Sequence, residues 1–241
     1  MKPTIHLPAL VFIFCIAHLS AGVQPQAPVE VNGFTKLTSY EDVQSFLHCI
    51  ENGRGITVQH IARTKNGRNV SLVSITRTPP FGSDRKKLRV LLFAQQHGDE
   101  PSGKEALTML IARASSGMLD SVLQMIDLLI VPQMNPDGAI LQQRRTADGV
   151  DLNRNHVLLT SPETKALHDV FWHWLPEVTM DIHEYGSFST EWKEAGFIKT
   201  GDVQLGMLTN LNTPHSIQKT AARDHLSFHA KAHAAMRLLV S

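Results

Sequence analysis

Residues 88–101 read Leu-Arg-Val-Leu-Leu-Phe-Ala-Gln-Gln-His-Gly-Asp-Glu-Pro. The first half, Leu88 to Ala94, is apolar apart from Arg89, which predicts a buried strand. The second half turns polar at once and carries His97 and Glu100. Gly98 between them permits a tight bend, and Pro101 suits the first turn of a following helix. The stretch therefore reads as strand, polar loop, helix, with metal-binding side chain types in the loop.

The same pattern recurs outward from it. Pro101 to Ala114 is helical in pattern, with Ala106, Leu107, Leu110 and Ile111 as its apolar face. Ile126 to Val131 and Val178 to Ile182 read as two more buried strands. Upstream, Thr38 and Glu41 have capping-box spacing before a helix from Tyr40 to Glu51, whose face is Val43, Phe46, Leu47 and Ile50. Ile56 to Ala62 and Val70 to Thr76 are β-rich and flank Asn66-Gly67, a hairpin signal. Pro79, Pro80 and Gly82 break the chain before the next strand. Strands alternating with helices predict an α/β domain with a mixed, twisted sheet flanked by helices. No internal repeat is visible.

Composition narrows the function classes. The 241 residues are 42% hydrophobic, enough for one sizeable core. With 23 basic against 22 acidic side chains and a formal charge of +1, nothing points to nucleic acid or an acidic membrane as partner. The 13 histidines direct attention to metal chemistry.

At the start of the chain, Lys2 precedes an apolar run from Leu7 to Leu19, and Ser20, Ala21 and Gly22 suit a cleavage site. Residues 1–22 are expected to be a secretory signal peptide, giving a secreted or periplasmic product without a stable membrane anchor. The run is short for a bilayer span of about 20 residues. Residues 23–39 read as a linker and 40–241 as one domain. Cleavage would remove Cys15, so the mature domain has no internal disulfide, and Cys49 reads as a buried, inert thiol.

Three strand ends carry the polar chemistry: His97 and Glu100, Asn135 to Gly138, and His183. Ligands of open α/β sheets bind at the carboxyl ends of strands. Two histidines and a glutamate, with a fourth position left open, are a known catalytic zinc set. His97, Glu100 and His183 are the candidate ligands.

The motifs extend this. Gln95-Gln96-His97-Gly98-Asp99-Glu100-Pro101 resembles the metal-binding segment of zinc metallocarboxypeptidases of the carboxypeptidase A type. Asn135-Pro136-Asp137-Gly138, Gly149-Val150-Asp151-Leu152-Asn153-Arg154-Asn155 and Asp181-Ile182-His183-Glu184-Tyr185 match three further segments in order. The resemblance runs from Tyr40 to Leu211 and implies a metallocarboxypeptidase-like fold, incomplete at its C-terminal end. It implies one zinc ion that polarises a scissile carbonyl and acidifies water. The substrate would be a peptide with a free carboxylate, or an acylated amino acid.

Residue by residue, the resemblance makes Asp151 the carboxylate that orients His97. It makes Asn153 and Arg154 the pair that holds the substrate carboxylate, a task for which the planar guanidinium fork is suited. Arg144 occupies the position of the oxyanion-stabilising arginine. Arg145 reads as a solvated neighbour, and Asn135 to Gly138 as a turn shaping the site wall. Glu184 and Tyr185 either line the substrate cleft or form a structural pair beside the ligand.

The family's general base is a glutamate well beyond the third ligand. After Glu194 this chain has no glutamate, and its later carboxylates are Asp202 and Asp224. Its last tyrosine is Tyr185, so the late substrate-binding tyrosine is also unmatched. Three expectations stand side by side: a fragment, an inactive zinc- or peptide-binding relative, or an enzyme with a substitute base, for which Glu184 is the candidate. A zinc amidohydrolase is a further rival. His225, His229 and His233 fall four apart and read as a polar helical stripe rather than a second metal site.

Overall fold

The computed structural model describes residues 25–185, with 193, 194, 196, 215, 216 and 219. The expected signal peptide, Asp202, Asp224 and the stripe of His225, His229 and His233 lie outside the described residues. The chain divides into two compact units, Met1–Tyr185 and Gly186–Ser241. The architecture that follows is that of the first.

Five strands form one mixed sheet in the order β1-β2-β4-β3-β5. β1 (Ile56–Arg63) and β2 (Asn69–Ile75) form the expected hairpin, and β2 runs antiparallel to β4 (Ile126–Val131). β3 (Leu88–Ala94) lies parallel to β4 on one side and to β5 (Val178–Ile182) on the other. The strand period of two explains how β4 serves two cores. Leu128 and Ile130 pack on one face with Ile75, Leu107 and Ile111. Leu129 and Val131 pack on the other with Leu91, Leu152, Leu167 and Val170. Each fully buried aliphatic side chain of this kind contributes about 1.5–3 kcal/mol.

Helices cover both faces. α1 (Pro28–Val31), α2 (Tyr40–Ile50) and α3 (Ser102–Ser115) contribute to the first core. The second is closed by α6 (Pro162–Trp174), which the sequence reading did not anticipate. The short helices α4 (Asp120–Leu123) and α5 (Pro136–Ile140) precede and follow β4.

Four local expectations are corrected. The stretch read as a linker supplies Ala27 and Val29 to the core, so residues 23–39 are packed in part. α2 is capped by Ser39 with Asp42, not by Thr38 with Glu41, because the backbone N–H and hydroxyl of Thr38 donate to Glu105. Cys49 is exposed, since the stripe of Val43, Phe46, Leu47 and Ile50 leaves it on the solvent side of α2. β5 is not buried: it pairs only with β3 among the described residues, and Val178 and Met180 are 45% and 42% exposed.

Candidate metal centre

Parallel pairing decides where the chemistry gathers. Ala94 sits opposite Ile182, and Phe93 opposite Val131, so β3, β4 and β5 release their chains at the same edge. The loop after β3 carries His97 and Glu100. The residue after β5 is His183. The chain beyond β4 enters α5 through Asn135.

The loop is held by close backbone packing. A Cβ on Gly98 would lie 2.1 Å from the Gly138 carbonyl carbon, and one on Gly138 would lie 2.5 Å from the Arg145 carbonyl oxygen. Gly98 is therefore required for close approach to α5, not for the tight bend that the sequence suggested. Asn135 to Gly138 is a helix start rather than a simple turn: the Asn135 side chain accepts from Gly138 N at 2.8 Å. Gln95 absorbs the bend with a positive φ of 55°, an arrangement costing about 1–3 kcal/mol. Its side chain offsets this by donating to Gly98 O at 3.0 Å and accepting from Gln133 at 3.0 Å.

Glu100 stands between the two histidines. Its Oε1 lies 2.6 Å from His97 Nδ1 and its Oε2 lies 2.8 Å from His183 Nδ1. One ligand atom from each of His97, Glu100 and His183 falls within 4.8 Å of the others. Both imidazoles thus turn Nδ1 inward. Each presents Nε2 to an aspartate: His97 to Asp151 Oδ1 at 3.3 Å, His183 to Asp181 Oδ2 at 2.9 Å. Two nitrogens and a carboxylate converging this way, each ring fixed from behind, fit a zinc ion.

The electrostatics follow from these contacts. Burial pushes the Glu100 carboxyl up, but hydrogen bonds from His183, the Glu184 backbone and His97 outweigh it and leave it below the usual carboxylate range. Burial likewise raises Asp151, and the Arg144 hydrogen bond and charge, with His97, bring it below. The Asp181 and Glu100 hydrogen bonds hold the His183 ring up at about 9 against the opposing effect of burial.

Arg144 reaches the centre. Its Nε donates to Asp151 Oδ2 at 3.0 Å, and its Nη1 lies 3.2 Å from His97 Nδ1. Asn153 brings its side-chain amide to 3.2 Å from His183 Nε2. Arg154 is exposed, with Nη1 donating to Asn153 O at 3.1 Å. Glu184 donates its backbone N–H to Glu100 Oε2, while its carboxylate accepts from Ser102 N at the start of α3, both at 3.0 Å. Glu184 thus contacts both the candidate ligand Glu100 and the start of α3. Tyr185 is 60% exposed beside it.

Asp181 and Gln96 were missed from sequence. Asp181 had a signal: on a strand, positions 181 and 183 share a face. Gln96 had none, because its partner lies 85 residues away.

A model of the family described as zinc carboxypeptidase, peptidase M14, matches residues 44–235 of this chain. Carboxypeptidase 2 of Trichophyton rubrum is 25% identical over 198 residues, which are 80% of this chain and 37% of that protein. Carboxypeptidase 2 of Trichophyton tonsurans is 29% identical over 139 residues, 57% of this chain and 26% of its own length. The crystal structure of a metallo-carboxypeptidase from Burkholderia cenocepacia superposes with a TM-score of 0.53 at 29% identity, over 60% of this chain and 40% of that one. Carboxypeptidase A from Helicoverpa armigera shares the fold, with a TM-score of 0.57 at 23% identity, over 64% of this chain and 47% of that one. The chain spans less than two fifths of the length of these curated relatives.

Proposed function

This chain belongs to the zinc carboxypeptidase family, and on that premise we propose that it holds one zinc ion on His97, Glu100 and His183 and acts on the C-terminal peptide bond of a peptide. The observation that carries the reading is the placement of Glu100, whose two oxygens each meet an inward Nδ1. A zinc ion held there supplies Lewis acidity, polarising a scissile carbonyl and making water more acidic.

The chain's own residues supply orientation and charge. Asp151 holds the His97 ring from behind, and Asp181 does the same for His183. Arg144 offers its guanidinium to the charge that develops on the carbonyl oxygen, the kind of interaction that grows in the transition state. Arg154 is engaged by one backbone oxygen among the described residues, so its fork suits the substrate's terminal carboxylate, with Asn153 beside it. Recognition of that carboxylate is what restricts hydrolysis to the last bond. Export guided by residues 1–22 belongs to the same proposal and rests on Lys2 and the apolar run after it.

A second reading, a zinc- and peptide-binding relative with slow turnover, is favoured by one contact. The Glu184 carboxylate is committed to Ser102 N, which argues against it as a substitute base. A positioned base typically contributes about 10²–10⁴-fold.

The test is metal content with hydrolysis of a matched panel: a peptide acid, its C-terminal amide and an acylated amino acid. Bound zinc with cleavage of the peptide acid alone supports the peptidase. Preference for the acylated amino acid points to the amidohydrolase. Zinc without cleavage supports the second reading, and a chain that takes up no zinc ends both.

A further inference from the structure

A line of hydrogen bonds leads from His183 away through Asp181, Gln96, His156 and His168. His183 Nε2 meets Asp181 Oδ2 at 2.9 Å. The same oxygen accepts from Gln96 Nε2 at 2.7 Å. Gln96 Oε1 lies 2.8 Å from His156 Nε2, and His156 Nδ1 lies 3.1 Å from His168 Nε2. The two histidine rings stack with centroids 5.3 Å apart. The line joins the end of β5, the loop after β3, the segment after Asn155 and helix α6.

Donor and acceptor chemistry gives the line one direction. An ionised Asp181 only accepts, so Gln96 must turn its amide N–H₂ toward it; the reverse orientation would set oxygen against oxygen. The Gln96 oxygen then faces His156, which must present N–H at Nε2. With one proton on Nε2, the neutral His156 ring accepts at Nδ1, and His168 donates there. Burial lowers the His156 pKa and repulsion from His168 adds to this, outweighing the opposing charge of Asp181, so the neutral ring is favoured. Gln96 is fully buried, at 0% exposure, so a mispaired amide there would be costly.

We infer that Gln96 and His156 are positioning residues for the zinc ligand His183, acting through Asp181. Gln96 adjoins His97 in the chain while its side chain steadies the carboxylate behind His183. The loop after β3 therefore sets both imidazoles at once: one directly, the other through the Gln96 amide. His156 and His168 fix which way that amide points. Partners of this outer kind orient a ligand ring, and their loss typically lowers metal affinity about 10–100-fold.

The inference rests on the zinc reading above, and the parent chain separates the two. Zinc affinity of the 241-residue chain is measured by competition with a chromogenic chelator, beside the melting temperature of the metal-free protein. Gln96→Met is expected to weaken zinc binding about 10–100-fold. His156→Leu is expected to weaken it less, in the same direction, with little change in metal-free melting. His156→Gln keeps an N–H for Gln96 and is expected to restore most of the loss. Should Gln96→Met fail to fold, the two His156 variants decide alone. Variants that bind zinc as tightly as the parent overturn the positioning role. So does a loss in His156→Leu that His156→Gln leaves unrepaired or that metal-free melting fully accounts for. A parent chain without zinc affinity removes the zinc centre, and this inference with it.

Discussion

Arg144 Nε donates to Asp151 Oδ2 at 3.0 Å while the other oxygen of that carboxylate faces His97 Nε2. One carboxylate thus contacts both the proposed metal ligand His97 and the arginine proposed for the oxyanion. Asp151→Asn keeps the shape but removes the charge and replaces one acceptor with a donor. Zinc affinity is expected to fall about 10–100-fold. Arg144→Ala should leave zinc affinity within a few-fold, yet lower any measured kcat about 10²–10³-fold. Chelator competition and steady-state hydrolysis on the two variants separate these effects. Equal zinc loss in both would make Arg144 part of the metal-holding framework instead.

Both ring nitrogens of His183 face carboxylates, at 2.8 Å from Glu100 and 2.9 Å from Asp181. Carboxylates only accept, so these contacts favour the doubly protonated ring in the metal-free chain and hold its pKa up at about 9 from 6.5, although the donor nitrogen of Asn153 also lies 3.2 Å from Nε2. The folded value lies above the unfolded one. The ring therefore adds stability to the metal-free chain that is fully present below about pH 6.5 and is lost as pH rises through about 9. Zinc needs the Nδ1 lone pair and must displace that proton. Calorimetric titration near pH 7.5, in two buffers of different ionisation enthalpy, is expected to show about one proton released per zinc. Binding without proton release there would mean that the ring is already neutral.

The parts of this arrangement legible in the sequence are those written in short periods. β3 and β4 show as apolar runs because both faces of each are covered, and the candidate ligands show because they follow the apolar runs of β3 and β5. β5 has the same apolar look, yet it is an edge strand among the described residues; a run of five residues cannot distinguish the two. The cap of α2 shifts by one residue because Glu105, far along the chain, claims Thr38. Helix α6 has only Ala166, Leu167 and Val170 as buried aliphatic positions, a thin stripe against its histidines and tryptophans. Gln96 and His156 hold their places through partners 85 and 12 or more residues away, a relation no local pattern records.

Gly98 tests the backbone packing under the centre. Its missing Cβ leaves room for Gly138 and Ala139, whose backbone atoms would lie 2.1 and 2.3 Å from an added methyl. Backbone cannot swing aside as a side chain can, so Gly98→Ala must push the loop away from α5. Overpacking of this kind costs about 1–3 kcal/mol. The melting temperature of the metal-free chain should fall, and zinc affinity should fall further, since His97 moves with the loop. A variant that melts and binds zinc like the parent would show that the loop and α5 are not in register as described.

Glu184 gives the sharpest choice between structure and catalysis. Its carboxylate accepts from Ser102 N, at the positive end of α3, and its backbone N–H supports Glu100. A negative charge at a helix start contributes about 0.3–1 kcal/mol, more where it is partly buried. Glu184→Gln keeps the backbone contact and the length of the side chain but loses the charge. The expected result is a small drop in stability, unchanged zinc affinity and unchanged residual hydrolysis. A base in the reaction would behave otherwise: hydrolysis would fall about 10²–10⁴-fold and the acidic limb of its pH profile would disappear, with stability untouched. Melting curves and a pH–rate profile on one variant therefore distinguish the two roles. The second outcome would require the carboxylate to leave Ser102 N during turnover.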